Sequence, residues 1–247
     1  MKERELKKHE IAVRKLELIR DNVFEFIKKN LGKVSEYDVC HFIEKEFKKE
    51  NLIPEKKHRI MMIATKENTS LFHYFPKKQN AKIITKNSLI LIDIWAKLNE
   101  KRAPFADLTW MAYTGKQIPP KIEKTFRRVI KARDLVLDFI VKNLKNRNLP
   151  LTYEIDKIAR DYFKKFNLER NFPHGTGHSL GFEAIHGKYF RFGKKSKGNL
   201  KIGIPFTIEP GLYFKNDFGV RTEIDCYITK DWRLKITSFC QKEIIKI

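Results

Sequence analysis

The amino-acid sequence predicts an α+β fold composed of two similar halves, residues 1–115 and 116–247. Two observations lead to this prediction: a helical segment occurs twice along the chain, and a stretch rich in β-branched residues follows each copy. Helices followed by strands are typical of α+β folds, in which each sheet carries its helices on one face. Because no Gly-, Ser- or Pro-rich spacer separates the halves, we expect a single domain.

The helical repeat is clearest between Arg20–Leu31 and Arg133–Leu144, which are identical at 8 of 12 positions at an offset of 113 residues. Further along, Phe47–Leu52 and Phe163–Leu168 match at an offset of 116 residues. We expect the three additional residues of the second copy to lengthen the loop at Lys145–Pro150. Amphipathic helices can match by chance, but several matches in the same order favour a duplication.

Each copy predicts two amphipathic helices, because apolar residues recur at helical spacing. The second helix of each half follows a residue suited to cap its N-terminus, Ser35 in the first half and Thr152 in the second. A hydroxyl at that position can accept a hydrogen bond from a free backbone amide of the first turn.

Each β-rich stretch predicts a hairpin. In the first half, the expected strands are Ser88–Trp95 and Phe105–Met111. In the second half they are Pro205–Phe214 and Gly219–Ile228, and Lys215–Phe218 between them contains the Asn and Asp that favour a turn.

One carboxylate is unusual in the first hairpin, because Asp93 lies within an otherwise apolar strand. A buried carboxylate is costly unless it is paired or bound to a metal ion. If the hairpin is centred near Glu100, Asp107 lies directly opposite Asp93, with the two Cβ atoms about 5 Å apart. Glu209 and Glu223 have the same separation of 14 residues, and each lies 116 residues after its counterpart. The duplication therefore predicts an acidic pair at equivalent positions of each half.

Packing of the two halves about a pseudo-twofold axis would bring these four carboxylates to one centre. Their mutual repulsion would raise their pKa values and destabilise the fold unless cations were bound. Any one of these acids is more simply explained as an ordinary edge-strand or turn residue. The shared offset of all four favours a site for two divalent metal ions.

A glycine-rich motif, Pro173–Gly181, supplies the candidate histidines His174 and His178. Their spacing suggests a helical zinc motif, but the intervening glycines and the lack of a Glu after the first histidine exclude the HExxH pattern. A strand or loop whose glycines permit close backbone approach is the better interpretation. His186 and His73 are further candidates, although each alone is more simply explained as a surface or structural residue.

In this order, the acids and the histidine motif resemble the pita-bread metallopeptidases, which include methionine aminopeptidase, aminopeptidase P and prolidase. The resemblance extends over almost the whole chain and implies a pita-bread fold, with two pseudo-symmetric halves around a central metal site. It implies two divalent ions as cofactors, with manganese the first choice and cobalt, iron or zinc as alternatives, since an oxygen-rich site with one imidazole differs from structural zinc sites. The ligands that it implies are Asp93, Asp107, His178, Glu209 and Glu223.

The resemblance also implies catalytic and substrate-binding roles. Glu209 would act as a general acid and base in addition to binding metal. His73, His174 and His186 match histidines that line the substrate pocket of the proline-directed enzymes, and His174 or His186 would stabilise the oxyanion. Arg221 matches the arginine two residues before the last ligand, in the substrate site. The implied reaction is hydrolysis of the N-terminal peptide bond of short peptides, with proline in the second position, by a water that the two ions activate.

Alternatives to this aminopeptidase or dipeptidase activity remain open. The short chain favours methionine aminopeptidase, and a net charge of +22 fits a metal-free binding module of the same fold, for peptide or nucleic acid. A carbon–nitrogen hydrolase of the creatinase kind is a remoter alternative. Two departures from the family are the longer spacing between Asp93 and Asp107 and the pair Ile94–Trp95, where the family has small residues.

Composition sets the expected partners and compartment. Lysines are spread along the whole chain, so we expect nucleic acid not to be a partner despite the charge. The sequence shows neither an apolar run long enough for a membrane span nor a signal peptide, and its three cysteines are too scattered for a disulfide framework. We therefore expect a cytoplasmic protein with no membrane association. The resemblance implies that it acts on short peptides, and because the sequence starts directly at helices that match the catalytic domain, we expect no additional N-terminal domain. The oligomeric state stays open, with a homodimer as one option.

Overall fold

A computed structural model describes residues 1–56 and 61–247 and confirms the predicted α+β, pita-bread class of fold. Its α-helices are α1 (Glu3–Lys29), α2 (Glu36–Lys49), α3 (Pro120–Lys145) and α4 (Thr152–Lys164). Its strands are β1 (Leu52–Ile53), β2 (Met62–Thr65), β3 (Leu89–Leu98), β4 (Ala106–Tyr113), β5 (Gly177–Leu180), β6 (His186–Phe192), β7 (Phe206–Ile208), β8 (Gly211–Tyr213), β9 (Gly219–Arg221), β10 (Ile224–Ile228), β11 (Leu234–Ile236) and β12 (Ile245–Lys246). Short 3-10 helices occur at Lys66–Ser70 and Glu169–Asn171. Across these two ranges, none of the helices has both the length and the apolar character that a bilayer span requires.

The predicted helix cap is present in the first half and wrong in the second. The amide of Asp38 donates to Ser35 Oγ at 3.2 Å, and the amide of Ser35 donates to Asp38 Oδ2 at 2.8 Å. Thr152 is instead the first helical residue, and its buried hydroxyl donates to the carbonyl of Gly198 at 3.2 Å. The backbone of Thr152 also donates to that carbonyl at 3.0 Å, so tertiary contacts rather than capping fix this position.

The three additional residues of the second repeat lie in a helix and not in the loop where we expected them. The segments between the paired helices, residues 30–35 and 146–151, both contain six residues. The first helix ends at Lys29, whose counterpart in the repeat is Lys142, but α3 continues to Lys145. A helix accommodates extra residues at its end without changing the short connection that follows it.

The strands form two larger sheets and one two-stranded ribbon. The first sheet has the order β1-β3-β4-β12, with β2 also pairing with β3. The second has the order β11-β10-β7-β5-β6, and β8 pairs with β9. Strand β12, at the C-terminal end of the described chain, lies parallel to β4, so the second half completes the sheet of the first.

The alternation of side chains along β3 determines which residues reach the centre of the molecule. Ile90, Ile92 and Ile94 pack into the core that contains α1 and α2. Leu89 and Leu91 point the other way and join the core of the second half, which contains α3 and α4. Asp93, the candidate acid of β3, lies on the same face as Leu89 and Leu91 and therefore faces the other half of the protein.

The register of the first hairpin differs from our prediction. Asp93 pairs with Thr109 and Trp95 with Asp107, so the two aspartates are diagonal neighbours and not direct partners. The hairpin is centred one residue later than expected, near Lys101; β3 extends further towards the turn, to Leu98, whereas β4 begins at Ala106 and extends at its far end, to Tyr113. The two carboxylates nevertheless share one face of the sheet, since a shift of two positions along a strand preserves the side.

Candidate metal centre

A cavity of about 200 Å³ brings the predicted metal-binding side chains together. Both halves of the chain contribute to its wall. Of the predicted site residues, His174 does not line it. The lining residues are Met62, His73, Phe75, Asp93, Trp95, Asp107, His178, Ile185, His186, Glu209, Arg221 and Glu223.

Asp93 is held at one side of this cavity by Arg221. The guanidinium Nη2 of Arg221 donates to Asp93 Oδ2, and both side chains are buried. Burial raises the pKa of Asp93, although the nearby guanidinium opposes this shift. The other oxygen, Oδ1, is buried and has no hydrogen-bond partner among residues 1–56 and 61–247. A buried carboxylate oxygen without a donor is costly in a site that binds nothing.

Asp107 lies at the point where the negative charges are most concentrated. Burial raises the pKa of Asp107 well above its ordinary value, and the carboxylates of Glu223 and Asp93 raise it further. Its backbone amide donates to Asp225 Oδ2 at 3.0 Å, which fixes the strand at this position. Such mutual repulsion destabilises the charged cluster unless a cation compensates for it.

The second acidic pair lies where the long second hairpin is interrupted. The two strands predicted there are each divided, at Glu209–Pro210 and at Thr222–Glu223. At the first break the amide of Glu209 donates to the carbonyl of Thr176 at 2.8 Å, outside the hairpin, and the following proline has no amide to donate. The interruption turns both glutamates out of the regular ladder and towards the cavity.

Glu209 and Glu223 experience different surroundings. Burial raises the pKa of Glu209 to about 7, and Thr207 Oγ1 donates to its Oε1 at 3.2 Å. Burial raises the pKa of Glu223 well above its ordinary value, and Glu209 and Asp93 add to that shift. Glu223 is further held by Thr109, whose hydroxyl donates to its Oε2 at 2.7 Å.

His178 presents an unprotonated nitrogen to this cluster. Its Nδ1 lies 3.1 Å from the carbonyl oxygen of Ser179, which can only accept, so Nδ1 carries the proton. Burial lowers the pKa of His178 to about 3, and the ring is therefore neutral. The lone pair of Nε2 then lies 3.5 Å from Glu209 Oε1.

The glycine-rich motif is a strand and its flanking loop, as predicted. A Cβ atom on Gly177 would lie 2.1 Å from the carbonyl oxygen of Thr207, so β5 can approach β7 this closely only with glycine at that position. This contact places His178, the next residue, against the second acidic pair.

The other predicted histidines lie in two different environments. His73 and His186 are exposed and line the cavity, and the ring of His186 meets that of His178 edge to face, with centroids 4.3 Å apart. Both ring nitrogens of His174 are hydrogen-bonded within the protein: its Nδ1 donates to the carbonyl of Gly175 at 2.8 Å, and its Nε2 accepts from the Tyr213 hydroxyl at 3.0 Å. Burial lowers the pKa of His174 to about 3.

Three buried residues of this centre were absent from our sequence prediction. Thr109 Oγ1 accepts from Arg221 Nε at 3.1 Å while it donates to the last glutamate, and Tyr213 accepts from Arg221 Nη1 at 3.3 Å. No local pattern distinguishes these two hydroxyls. Asp225, by contrast, is an acid within the apolar strand Ile224–Ile228, the same signal that identified the first aspartate.

The donor set fits divalent metal ions. Ligand atoms of Asp107, His178 and Glu223 lie within 4.8 Å of one another, and all three side chains are buried. The neighbouring Asp93 and Glu209 add two carboxylates on the same cavity wall. Carboxylate oxygens and a neutral imidazole nitrogen are ligands that manganese, iron, cobalt and zinc accept.

Known proteins resemble this chain in sequence and in fold. An uncharacterized peptidase of Methanocaldococcus jannaschii is 29% identical over 225 residues, which cover 88% of this chain and 58% of that protein. The crystal structure of a prolidase from Thermococcus sibiricus superposes with a TM-score of 0.80 at 25% identity, over 100% of this chain and 62% of that one. An X-prolyl aminopeptidase from Caenorhabditis elegans, described as a cytosolic enzyme with a di-nuclear active site, has the same fold, with a TM-score of 0.75 at 19% identity over 96% of this chain and 39% of that one.

The chain spans just over half the length of the curated relatives that it matches, 54% and 58% for two of them. The sequence profile of metallopeptidase family M24 matches residues 7–230, which include every predicted site residue. The fold, the cavity and this match together lead to one conclusion: the chain belongs to metallopeptidase family M24.

Proposed function

We propose that the protein is a metal-dependent aminopeptidase or dipeptidase that hydrolyses the N-terminal peptide bond of short peptides, with proline preferred in the second position. The observation that carries this proposal is the convergence of four carboxylates and one neutral imidazole on a single cavity. The likeness to a prolidase over the whole length of this chain supports the preference for proline. We also propose that the two halves form one catalytic domain, and that it works in the cytoplasm, where its free cysteines stay reduced.

We propose two divalent ions as cofactors, manganese first. They would be held by Asp93, Asp107, His178, Glu209 and Glu223. When bound, the ions would supply an activated water and a Lewis acid that polarises the scissile carbonyl. The di-nuclear site named for the Caenorhabditis elegans enzyme supports the number of ions.

Glu209 is our candidate for the general base. A pKa of about 7 makes its carboxylate an effective proton acceptor near neutral pH. The hydrogen bond from Thr207 orients its Oε1, and its Oε2 lies 3.9 Å from His174 Nδ1. Glu209 would take a proton from the attacking water and then deliver it to the departing amine.

The remaining cavity wall would bind the substrate. His186 and His73 line the cavity and would hydrogen-bond the peptide, and His186 would stabilise the oxyanion. Arg221 would keep Asp93 oriented through their ion pair. The apolar part of the wall includes Phe75 and Trp95 and suits a proline ring or a small aliphatic side chain.

Hydrolysis assays after metal exchange test this proposal. Chelator-treated protein is reloaded with Mn²⁺, Co²⁺, Fe²⁺ or Zn²⁺ and incubated with Ala-Pro, Ala-Pro-Ala or Met-Ala-Ser. We expect release of alanine from the proline peptides, strongest with Mn²⁺. Release of methionine alone would show a methionine aminopeptidase instead. If metal-loaded protein hydrolysed none of the peptides, the proposed peptidase activity would be contradicted.

One substitution tests the role of the acidic cluster, and a second serves as its control. Asp107→Asn should abolish both metal binding and hydrolysis, because it removes a carboxylate at the centre of the cluster. Asp217→Asn changes an exposed aspartate that pairs with Lys121 outside the cavity, and it should leave both unchanged. Equal activity in the two variants would show that the cluster does not carry the reaction.

A further inference from the structure

Glu36, the first residue of α2, is a fully buried carboxylate outside the metal centre. It accepts hydrogen bonds from the amide of Thr65 at 2.7 Å, the side-chain amide of Asn68 at 3.0 Å, the hydroxyl of Tyr74 at 2.6 Å and the amide of Lys82 at 2.9 Å. All of these donors are neutral groups. Hydrogen bonds to an ionised acceptor are about twice as strong as neutral ones, and the N-terminus of a helix stabilises a negative charge further.

All four donors belong to one segment, residues 65–82, which we call the histidine segment. It carries His73 and Phe75, which line the cavity. Apart from the end of β2 and the 3-10 helix Lys66–Ser70, this segment has no regular secondary structure, and β3 begins only at Leu89. Connections of this length seldom hold one conformation without side-chain contacts.

The other side of the histidine segment docks on the second half of the protein. The amide of Gly219 donates to Thr69 Oγ1 at 3.0 Å, and Arg221 Nη1 donates to the carbonyl of Phe72 at 3.4 Å. A Cβ atom on Gly219 would lie 2.2 Å from the carbonyl oxygen of Thr69. The segment is therefore clamped between the start of α2 and strand β9.

We propose that Glu36 is a positioning residue for substrate binding. Its carboxylate fixes the histidine segment, and through that segment it sets the positions of His73 and Phe75 in the cavity. The effect on substrate rests on the proposed peptidase function, whereas the effect on the segment does not. A glutamate that merely stabilised α2 would change the stability of the whole protein and leave the segment's conformation intact.

Glu36→Gln is the central test, because it keeps the shape of the side chain and replaces one acceptor oxygen with an NH2 group. That group cannot accept a hydrogen bond from the donor that it faces. We expect amide exchange at Thr65 and Lys82 to be at least tenfold faster. We expect the KM for Ala-Pro to rise about tenfold, with kcat reduced less than about threefold and the bound metal unchanged.

Glu5→Gln is the matched control. Glu5 is also a buried glutamate in the first turn of a helix, where it accepts from the amide of Lys2 and pairs with Arg102, away from the cavity lining. It should lower thermal stability without changing the KM. Gly219→Ala pushes Thr69 from the opposite side and should reproduce the higher KM and the faster exchange of the histidine segment.

Unchanged exchange at Thr65 and Lys82 in Glu36→Gln would overturn the inference, as would equal KM values for Glu36→Gln and Glu5→Gln. If metal-loaded wild-type protein hydrolyses no peptide, the proposed function fails, and the exchange measurement still decides whether Glu36 fixes the segment.

Discussion

Nε2 of His178 lies 3.6 Å from Oδ2 of Asp107, and the proton of that imidazole is on the other nitrogen. A lone pair therefore faces a carboxylate, which is unfavourable unless a cation or a proton lies between them. The same carboxylate is repelled by Glu223 and Asp93. This arrangement indicates a centre whose stability depends on what it binds.

The first prediction concerns the metal-free protein. Asp107→Asn removes one repelling charge, and its amide can donate to the lone pair of His178, so the melting temperature of chelator-treated protein should rise by about 3 °C or more. The wild-type protein should gain stability on addition of Mn²⁺, and the variant should not. Thermal denaturation with and without the ion measures both effects. A lower melting temperature of the metal-free variant would identify Asp107 as an ordinary structural residue.

The second prediction concerns pH. The folded-state pKa of Glu209 is about 7 against an ordinary value of 4.5, so the native state binds this proton more tightly than the unfolded state does. The resulting stabilisation is complete below pH 4.5 and is lost as the pH rises through about 7. Glu209→Gln removes this titration. The difference in free energy of unfolding between the metal-free variant and the wild type should therefore grow in favour of the variant by on the order of 3 kcal/mol as the pH rises from 4.5 to about 7.

Urea denaturation of both proteins across this pH range tests that difference. His174 and His178 affect stability in the opposite direction. Their pKa values are lowered to about 3, so the folded state loses stability as the pH falls below 6.5. Since both proteins share those histidines, the difference between them isolates Glu209. A difference that does not vary with pH would contradict the raised pKa.

The third prediction separates two histidines that the sequence treated alike. His186 lines the cavity, so His186→Ala should lower kcat about 100-fold if it stabilises the oxyanion. Both ring nitrogens of His174 are hydrogen-bonded, to Gly175 and to Tyr213. His174→Ala should therefore lower the melting temperature and reduce kcat less than about tenfold. Steady-state kinetics on Ala-Pro measure both, and the reverse ranking would place His174 in contact with the substrate.

The fourth prediction concerns the width of the cavity. Trp95 pairs with Asp107 across the hairpin and meets Phe75 edge to face, with ring centroids 6.3 Å apart. Trp95→Ala should raise the kcat/KM for Phe-Pro relative to Ala-Pro by about tenfold or more, because it opens the apolar wall. Trp110, in the same hairpin, packs on the opposite face beneath Arg20. Trp110→Phe should therefore leave that ratio unchanged, and a similar shift in both variants would indicate a general loosening of the sheet.

Much of this architecture follows from local patterns in the chain. Helical spacing of apolar residues and alternation along strands depend only on neighbouring residues, and the duplication offset is a property of the linear chain; together they predicted Asp93, Asp107, Glu209 and Glu223 as candidate ligands. The same alternation explains why the diagonal register of the first pair still leaves both aspartates on one face. The residue roles themselves stay predictions until the variants are measured.

The tertiary structure decided the features that depend on contacts between distant parts of the chain. The hydroxyl of Thr109 links Arg221 and Glu223, which both lie more than 100 residues further along the chain, and the hydroxyl of Tyr213 donates to Nε2 of His174. Such hydrogen bonds arise when two sheets pack together, and no periodicity within a single segment encodes them. The sequence by itself determined which side chains face inwards, and packing between the halves determined which of them meet.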